Sequence, residues 1–233
     1  MKIPLSSRLR ACCDFVATGD RVADIGTDHG YLGIWLLKNS IAKSVIASDI
    51  APVPLSAARR NAVKHGCADS MEFYLSDGVA SVPRDFDTLV CAGMGADTMI
   101  SILSAAPWLK QEKYRLILQC QSKTPTLRRY LSENGWYIRK ETLLRDGRFL
   151  YTVMEVIHRE GNPLTPGQWY LPPALLENPA PELPEYYHRI ITGLRLAVSG
   201  HGYNADPELV SALSELENVP ALQFLKENNY GNG

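Results

Sequence analysis

Residues 22–33, VADIGTDHGYLG, constrain the fold of this chain more than any other stretch of its sequence. An apolar run ends at Gly26, a short polar loop follows, and a helix-forming segment begins at Tyr31. This strand–loop–helix order is typical of the first unit of a parallel α/β sheet, in which the loop after the first strand borders the ligand site. The same stretch carries two acidic residues, Asp24 and Asp28, and their charge limits what can bind there.

Strands and helices are predicted to alternate through most of the chain, which favours an α/β fold with a mainly parallel sheet and helices on both faces. A short helix over residues 5–17 precedes the first strand. The segment WYIRKETLLRDGRFLYTVMEVIHRE predicts a hairpin that turns at Asp146-Gly147, so the sheet is expected to have an antiparallel edge strand. The strand segments before it are RVADIG, KSVIASDI, MEFYLSDG, FDTLVCAGMG and YRLILQCQS.

A proline cluster predicts a boundary near residue 160. Seven of the 15 prolines lie between Pro163 and Pro184, and two amphipathic segments follow, EYYHRIITGLRLAVSG and PELVSALSELENVPALQFLKENN. Their apolar spacing predicts a C-terminal helical hairpin. With 233 residues, the chain is long enough for one sizeable α/β domain over 1–160 and a smaller unit over 161–233.

Composition narrows the classes of protein that are expected. No apolar run reaches membrane-spanning length and the N-terminus lacks the apolar core of a signal peptide, so we expect a cytoplasmic protein. The five cysteines are scattered without a C-x-x-C pair, which favours buried free thiols over disulfides or a metal site. Residues 1–160 hold 21 Lys+Arg against 17 Asp+Glu, a net charge of +4, whereas residues 161–233 hold 3 against 8, a net charge of −5. The first part can therefore accept an anionic polymer, although its positive excess is mild.

The loop disfavours a ligand that carries phosphates. A dinucleotide fold requires G-x-G-x-x-G, whereas the glycines here are Gly26, Gly30 and Gly33. Asp24 and Asp28 would also repel a pyrophosphate, at a cost on the order of several kcal/mol for each close contact. These acids speak against a nicotinamide oxidoreductase.

S-adenosylmethionine suits the loop better, because it has no phosphate and its sulfonium and ammonium outweigh its carboxylate. Asp49 ends the second predicted strand and is placed to bind a ribose diol, and Asp77 ends the third, where it could accept from an adenine amino group. Simpler interpretations remain open for single residues. Asp24 could cap the following helix, Asp49 could be an N-cap before Pro52, and His29 could be a structural loop histidine.

Seven blocks in this order resemble one known family. They are LSSRLRACCDFV, ADIGTDHGYLGI, SDGV, AGMGAD, RLILQ, LRRYL and RDGRFLYTV, across residues 5–153. Together they resemble the bacterial tRNA (adenine-22 N1)-methyltransferases, whose Rossmann-like class I methyltransferase domain is joined to a C-terminal helical domain. The resemblance implies S-adenosylmethionine as methyl donor, tRNA as substrate, and neither a metal nor an obligate protein partner.

The resemblance also implies roles for individual residues. Asp28 matches the loop acid beside the target base and is the catalytic candidate. The implied cofactor-binding residues are Asp24, Gly26, Thr27, His29, Tyr31, Asp49, Ile50, Asp77, Gly78, Gly93 and Met94. The substrate-binding candidates are Arg8, which matches a family arginine, the strand-end residues Gln119 and Gln121, and Tyr31 and Met94, which could receive the unstacked base. Tyr31 opens a helix and equally fits a core position. Basic candidates for an RNA surface are Lys2, Arg8, Arg10, Arg59, Arg60, Lys64, Lys123, Arg128 and Arg129.

This sequence departs from the family pattern at several positions. Gly30 and Gly33 stand where alanine and proline are usual, Ala96 follows AGMG, and Gln119-Cys120-Gln121 replaces Gln-Pro-Asn. A [DN]-P-P-[YF] segment is missing after the fourth strand, which argues against methylation of an exocyclic amine. A methyltransferase acting on another RNA site, a small molecule or a protein stays open, as does a non-catalytic RNA adaptor that binds the cofactor.

Overall fold

A computed structural model describes residues 3–159, 161–201 and 205–218. Its seven strands form one sheet in the order β3-β2-β1-β4-β5-β7-β6. The strands are β1 Asp20–Ile25, β2 Ala42–Asp49, β3 Met71–Leu75, β4 Thr88–Gly95, β5 Arg115–Ser122, β6 Trp136–Asp146 and β7 Phe149–His158. In the described part of the chain the helices are α1 Ser7–Cys13, α2 Tyr31–Lys38, α3 Pro52–Lys64, α4 Ala96–Ala105, α5 Thr124–Glu133, α6 Pro166–Tyr170, α7 Pro173–Glu177, α8 Leu183–His201 and α9 Pro207–Glu217.

The predicted α/β fold is confirmed, with one refinement at the hairpin. Strands β1 to β5 pair in parallel. The hairpin turns after Asp146 as predicted, but its second strand lies one place in from the edge, because β7 pairs antiparallel with both β5 and β6. The chain order reverses between β1 and β4, so the loops that follow these two strands meet at the switch point where α/β folds bind ligands.

Two hydrophobic layers cover the sheet. Neighbouring residues of β1 point to opposite faces: Val22 packs in the layer beneath α1 and α2, and Ala23 in the layer beneath α4 and α5. Both side chains are fully buried. The sheet is therefore covered on both sides, as parallel strands require.

The C-terminal helices pack against the outer hairpin. Leu143 of β6 joins an apolar cluster with Leu194 of α8 and Leu216 of α9, and Tyr187 donates a hydrogen bond to the Leu216 carbonyl at 3.1 Å. The predicted helical hairpin is present. The part of its second segment beyond residue 218 lies outside the described residues, and the division into two domains at residue 160 stays a prediction.

Two helix predictions differ from the structure. Helix α1 ends at Cys13 rather than reaching residue 17. The proline-rich stretch contains two short helices, and the first is fixed by a capping box in which Thr165 and Gln168 exchange side-chain and backbone hydrogen bonds.

Candidate active site

The loop after β1 is bound tightly to β2. The backbone N–H groups of Gly26 and Thr27 both donate to the Ser48 carbonyl, at 2.9 and 2.8 Å. Gly26, Asp28 and Gly30 all have positive φ, at 74°, 51° and 74°, a region that glycine and, less readily, Asp and Asn adopt. The backbone is therefore coiled into a compact turn before α2 begins.

Asp24 lies buried beneath this turn. It is 4% exposed, and among the described residues its carboxylate accepts a side-chain hydrogen bond from Thr27 alone, at 2.6 Å. Burial raises the pKa of Asp24 to about 6, and the negative charges of Asp49 and Asp28 act in the same direction. The alternative in which Asp24 caps α2 is not what the structure shows, because the N-cap is Gly30, without a side-chain hydrogen bond.

Asp49 joins the loop to the end of β2. One carboxylate oxygen accepts from the Asp28 backbone N–H at 3.1 Å and the other from the Ala51 backbone N–H at 2.9 Å. The second bond supports the chain just before α3, but the N-cap residue is Ala51, so the alternative in which Asp49 is the N-cap is wrong. Asp28 points its own side chain outward, with 67% of it exposed.

The turn at the end of β4 lies against the same loop. A Cβ on Gly26 would come within 2.3 Å of the Met94 methyl group, so the absence of a side chain lets Met94 approach. Gly93 has a φ of 79° and lies at the start of an irregular stretch in the pairing of β4 with β5, between Ala92 and Met94. The Cys91 thiol lies 3.3 Å from the Met94 sulfur, and burial raises the pKa of Cys91 to about 12.

Arg8 connects helix α1 to this turn. Its Nη1 donates to the side-chain oxygens of both Gln119 and Gln121, at 3.0 Å each. The Gln119 oxygen also accepts from the Gly93 backbone N–H at 3.1 Å. Gln119 has no exposed surface, so its side chain holds the turn in place while Arg8 and Gln121 lie nearer to solvent.

Two further residues join the Arg8 network that the sequence did not single out. Gln121 donates to the Tyr151 hydroxyl at 3.1 Å, and Arg8 Nε lies 3.7 Å from Asp146. Both belong to the segment RDGRFLYTV, which the resemblance contains but which on its own predicts only a turn and a strand. The presence of this block in the resemblance is the one sequence signal that points to them.

The remaining predicted cofactor residues lie around the strand ends. Ile50 is 68% exposed directly after Asp49. Asp77 is exposed in the loop after β3, where it lines a groove of about 620 Å³ against α4. Gly78 packs against Ile102 of that helix. Within the described part of the chain, no hydrogen bond or ion pair joins Asp77 or Gly78 to the acids of the β1 loop.

His29 and Tyr31 lie at the outer side of the loop. His29 Nε2 is 3.6 Å from Asp28 Oδ1, its ring centroid is 6.0 Å from that of Tyr31, and its carbonyl accepts from Asn61 of α3 at 2.9 Å. These contacts are compatible with the structural role that the sequence left open for His29.

Two of the departures from the family pattern have a packing explanation. A Cβ on Gly30 would lie 3.0 Å from the Cβ of Ala58 in α3. A Cβ on Gly33 would lie 2.8 Å from a methyl group of Val45 in β2. The two glycines therefore let α2 approach α3 and β2 more closely than larger residues would.

The basic candidates for an RNA surface separate into distinct groups. Arg128 is wrong as a surface residue, because its side chain is fully buried and pairs with Glu141 at 2.6 Å. Four others have carboxylate partners: Arg8 has Asp146, Arg10 has Asp14, Lys123 has Asp97, and Arg129 has Glu133 and Glu208. Arg59 lies over the Phe73 ring. Arg60 and Lys64 are exposed and have no carboxylate partner among the described residues, and Lys2 lies outside them.

Neither a metal nor a membrane site is indicated within the described residues. They contain no group of three or more His, Cys, Asp and Glu side chains able to hold a metal ion. No helix among them combines the length and apolar character needed to cross a membrane. All five cysteines are buried and free.

Comparison with known proteins places the chain in a family. The model of the methyltransferase domain matches residues 5–154. The tRNA (adenine(22)-N(1))-methyltransferase of Bacillus subtilis is 29% identical over 154 residues, which cover 66% of this chain and 65% of that enzyme. The match thus spans slightly less than two thirds of the relative.

Solved structures agree over a larger part of the chain. Streptococcus pneumoniae Sp1610 in complex with S-adenosyl-L-methionine has a TM-score of 0.81 at 25% identity, covering 92% of this chain and 99% of that one. A Streptococcus agalactiae protein of the NADB-Rossmann superfamily has a TM-score of 0.80 at 28% identity, covering 97% and 98%. Sequence, topology and site geometry lead to one conclusion: the chain belongs to the methyltransferase domain family.

Proposed function

We propose that this protein transfers a methyl group from S-adenosylmethionine to N1 of an adenine in tRNA, at position 22. The observation that carries the proposal is the charge of the loop after β1. The charged groups that act on the buried Asp24 are Asp49 and Asp28, both acidic. Such a site attracts a cationic adenosyl donor and repels phosphates. The substrate and the position in the proposal are those of the similar Bacillus subtilis tRNA (adenine(22)-N(1))-methyltransferase.

The residues at the strand ends suit the donor. Asp24 is a buried carboxylate with a single hydrogen-bond donor, so an ammonium or sulfonium nearby would stabilise its ionised form. Each oxygen of Asp49 accepts one backbone N–H and keeps a further lone pair for a ribose hydroxyl. Ile50 offers an exposed apolar face beside it. When bound, S-adenosylmethionine would supply an electrophilic methyl group.

Asp28 is assigned to the chemical step. Adenine N1 has an in-plane lone pair and attacks without prior deprotonation, so placement of the base supplies most of the catalysis. Methylation leaves the ring positively charged, and the exposed Asp28 carboxylate would stabilise that charge and accept a hydrogen bond from the exocyclic amine. Its backbone N–H is fixed by Asp49, which couples the position of the catalytic acid to the cofactor side of the site.

The Arg8 network is assigned to the substrate side. Arg8 holds the oxygen of Gln121 and the Tyr151 hydroxyl accepts one N–H of its amide, which leaves the second N–H of that amide as the donor for the target base. Gln119 is buried and accepts from the Gly93 backbone N–H, so its role is to position the turn and not to contact the substrate. The turn Cys91–Gly95 replaces the [DN]-P-P-[YF] segment that holds an exocyclic amine, and this supports attack by a ring nitrogen.

Methyl transfer to unmodified tRNA tests the proposal. Purified protein is incubated with labelled S-adenosylmethionine and an unmodified tRNA transcript, and the modified base is located by a reverse-transcription stop, since N1-methyladenine blocks base pairing. We expect label in the RNA and a stop at adenine 22. Label that appears elsewhere would reassign the substrate. Cofactor binding without any transfer would favour the RNA adaptor.

A further inference from the structure

The β6–β7 hairpin brings an exposed aromatic ring to the edge of the candidate site. Phe149 is the first residue of β7 and pairs in register with Asp146, the last residue of β6. Its side chain is 48% exposed. Among the exposed large apolar side chains of the described residues, Phe149 is the aromatic one and the others are aliphatic. A single exposed apolar residue is ordinary on a protein surface, so its position and neighbours decide what it means.

The hairpin tip is held beside the substrate side of the site by the Arg8 network. Arg8 Nε lies 3.7 Å from Asp146, which pairs with Phe149. Two residues further along β7, the Tyr151 hydroxyl accepts from Gln121, whose own oxygen is bound to Arg8. Phe149 and Tyr151 have ring centroids 6.1 Å apart. The exposed ring is thus connected by side chains to the turn that carries Gly93 and Met94.

A positive charge accompanies the ring. The guanidinium carbon of Arg148 lies 4.9 Å from the centroid of Phe149. Arg148 has no carboxylate partner among the described residues, whereas Arg145 of the same hairpin pairs with Glu185. An uncompensated cation beside an exposed aromatic face is the combination that proteins use to bind an unpaired nucleotide, with the base stacked on the ring and the phosphate near the cation.

We propose that Phe149 and Arg148 bind the nucleotide of the substrate RNA that flanks the target adenine. The inference rests on the proposed function. Because N1 lies on the pairing edge of adenine, the target base must leave its stack before it can react. The base of the flanking nucleotide then loses its stacking partner on one side. The Phe149 ring stacks on that side instead, whichever base is present. The Arg148 guanidinium lies near the phosphate of the same nucleotide.

Substitutions of Phe149 test this contact against an unmodified tRNA transcript. F149A should weaken RNA affinity and raise KM for the transcript roughly 10-fold, the loss expected for one stacked base. F149W should keep the wild-type affinity, and F149L should remain close to F149A because leucine keeps apolar area without a stacking face. The matched control is L196A, which removes an aliphatic side chain that is 68% exposed on α8 and should change neither value.

A second readout reports stacking directly. With 2-aminopurine placed next to adenine 22, the wild-type protein should change the fluorescence of the probe on binding, and F149A should not. Cofactor affinity, measured by calorimetry, should be the same in all variants. A loss of folding in F149A would also lower the cofactor affinity, so this measurement distinguishes misfolding from the loss of an RNA contact.

Each other outcome overturns the inference. Equal RNA affinity of F149A and L196A would show that Phe149 does not contact the RNA. Wild-type affinity in F149L would show that the apolar area of the side chain, and not stacking, stabilises the complex. A dimer that F149A dissociates, with RNA affinity unchanged, would assign the ring to contact between two copies of the chain. A wild-type protein that transfers no methyl to any tRNA adenine would overturn the proposed function, and the inference would fall with it.

Discussion

The burial of Asp24 is unfavourable for the stability of the fold, and the proposed cofactor would explain why the acid is there. Its carboxylate is 4% exposed and has one hydrogen-bond donor among the described side chains. Burial of an ionised carboxylate with so little compensation is unfavourable, and the pKa of Asp24 rises to about 6 from an ordinary value of 3.8. Without a cationic ligand, a neutral side chain at this position would make the fold more stable. The acid is therefore better explained by the ligand than by the fold.

Asp24→Asn should stabilise the unliganded protein at neutral pH. Since the folded-state pKa exceeds the unfolded value, the folded state holds an extra proton between about pH 4 and pH 6, so stability falls as pH rises through that window. The amide cannot ionise and still accepts from Thr27. The variant should gain up to about 3 kcal/mol at pH 7.5 and nothing at pH 4. Urea unfolding at both pH values measures the difference.

The exposed Asp69 provides the matched control for this substitution. Asp69→Asn should leave the free energy of unfolding almost unchanged at both pH values. Calorimetry should show that Asp24→Asn also binds S-adenosylmethionine much more weakly. A variant that is less stable than wild type at pH 7.5 would contradict the account of Asp24 given above.

Asp28→Asn should separate catalysis from cofactor binding. The residue has a φ of 51°, which asparagine tolerates better than alanine, so the loop should keep its conformation. Loss of the charge opposite the methylated ring should lower the single-turnover rate about 100-fold or more. Calorimetry should give a cofactor affinity within about threefold of wild type. A parallel loss of affinity would place Asp28 in cofactor binding instead.

At the scale of elements, the sequence predicts what is local and misses what is distant. Strands β1, β2 and β4 are apolar runs that end at or just before glycine or aspartate, and the Asp146-Gly147 pair marks the hairpin turn directly. The contact between Arg8 and Gln119 joins residues 111 positions apart, and no periodic pattern encodes it. Helix α6 was missed because its five residues are too few for a period, although its capping box is visible in the sequence.

The same limit explains the wrong placement of Arg128 on the surface. An arginine in the amphipathic segment of α5 normally faces water. Here its guanidinium donates to Glu141 of β6 at 2.6 Å and to the Trp169 and Tyr170 carbonyls of α6 at 2.9 Å each. These partners come from separate parts of the chain, so only the folded structure shows that Arg128 fastens the C-terminal helices to the sheet.

Arg128→Met should therefore destabilise the protein strongly. It leaves the fully buried Glu141 carboxylate and two α6 carbonyls without their donor, and removal of one partner from a buried ion pair costs about 3–5 kcal/mol. Adding Glu141→Gln should recover part of that loss, because both charges are then gone. The free energy of unfolding in urea measures both variants. An Arg128→Met variant as stable as wild type would exclude the proposed fastening role.

On the scale of the whole molecule, the charge distribution limits how RNA can be held. Residues 1–160 carry a net charge of +4, but Arg10, Lys123 and Arg129 have carboxylate partners and Arg128 is buried. Of the basic candidates for an RNA surface, Arg59, Arg60 and Lys64 are left without a carboxylate partner among the described residues. The net positive charge can be counted from the sequence. How many of the cations can contact phosphates depends on which of them pair with carboxylates in the folded state. A modest number of phosphate contacts is therefore expected, with specificity supplied at the site itself.

Arg60 and Lys64 should provide two of those phosphate contacts. Both lie on α3 next to Asn61, whose side chain binds the His29 carbonyl of the β1 loop, and both lack a carboxylate partner among the described residues. Because each phosphate contact contributes about 0.7–0.9 to the slope of log affinity against log salt, Arg60→Gln/Lys64→Gln should reduce that slope by roughly 1.5 and weaken binding of all tRNA sequences alike. A filter-binding titration between low and physiological salt measures the slope.

The matched control is Lys110→Gln/Lys113→Gln, which removes two charges without carboxylate partners among the described residues, just ahead of the start of β5. In a parallel sheet the starts of the strands lie opposite the edge that holds the site, so this double variant should lower the net charge equally and leave the slope close to wild type. Equal slopes in the two double variants would mean that net charge, and not the α3 surface, attracts the RNA. A slope that changes only for the α3 variant would place the tRNA backbone along α3, the helix that also supports the proposed catalytic loop after β1.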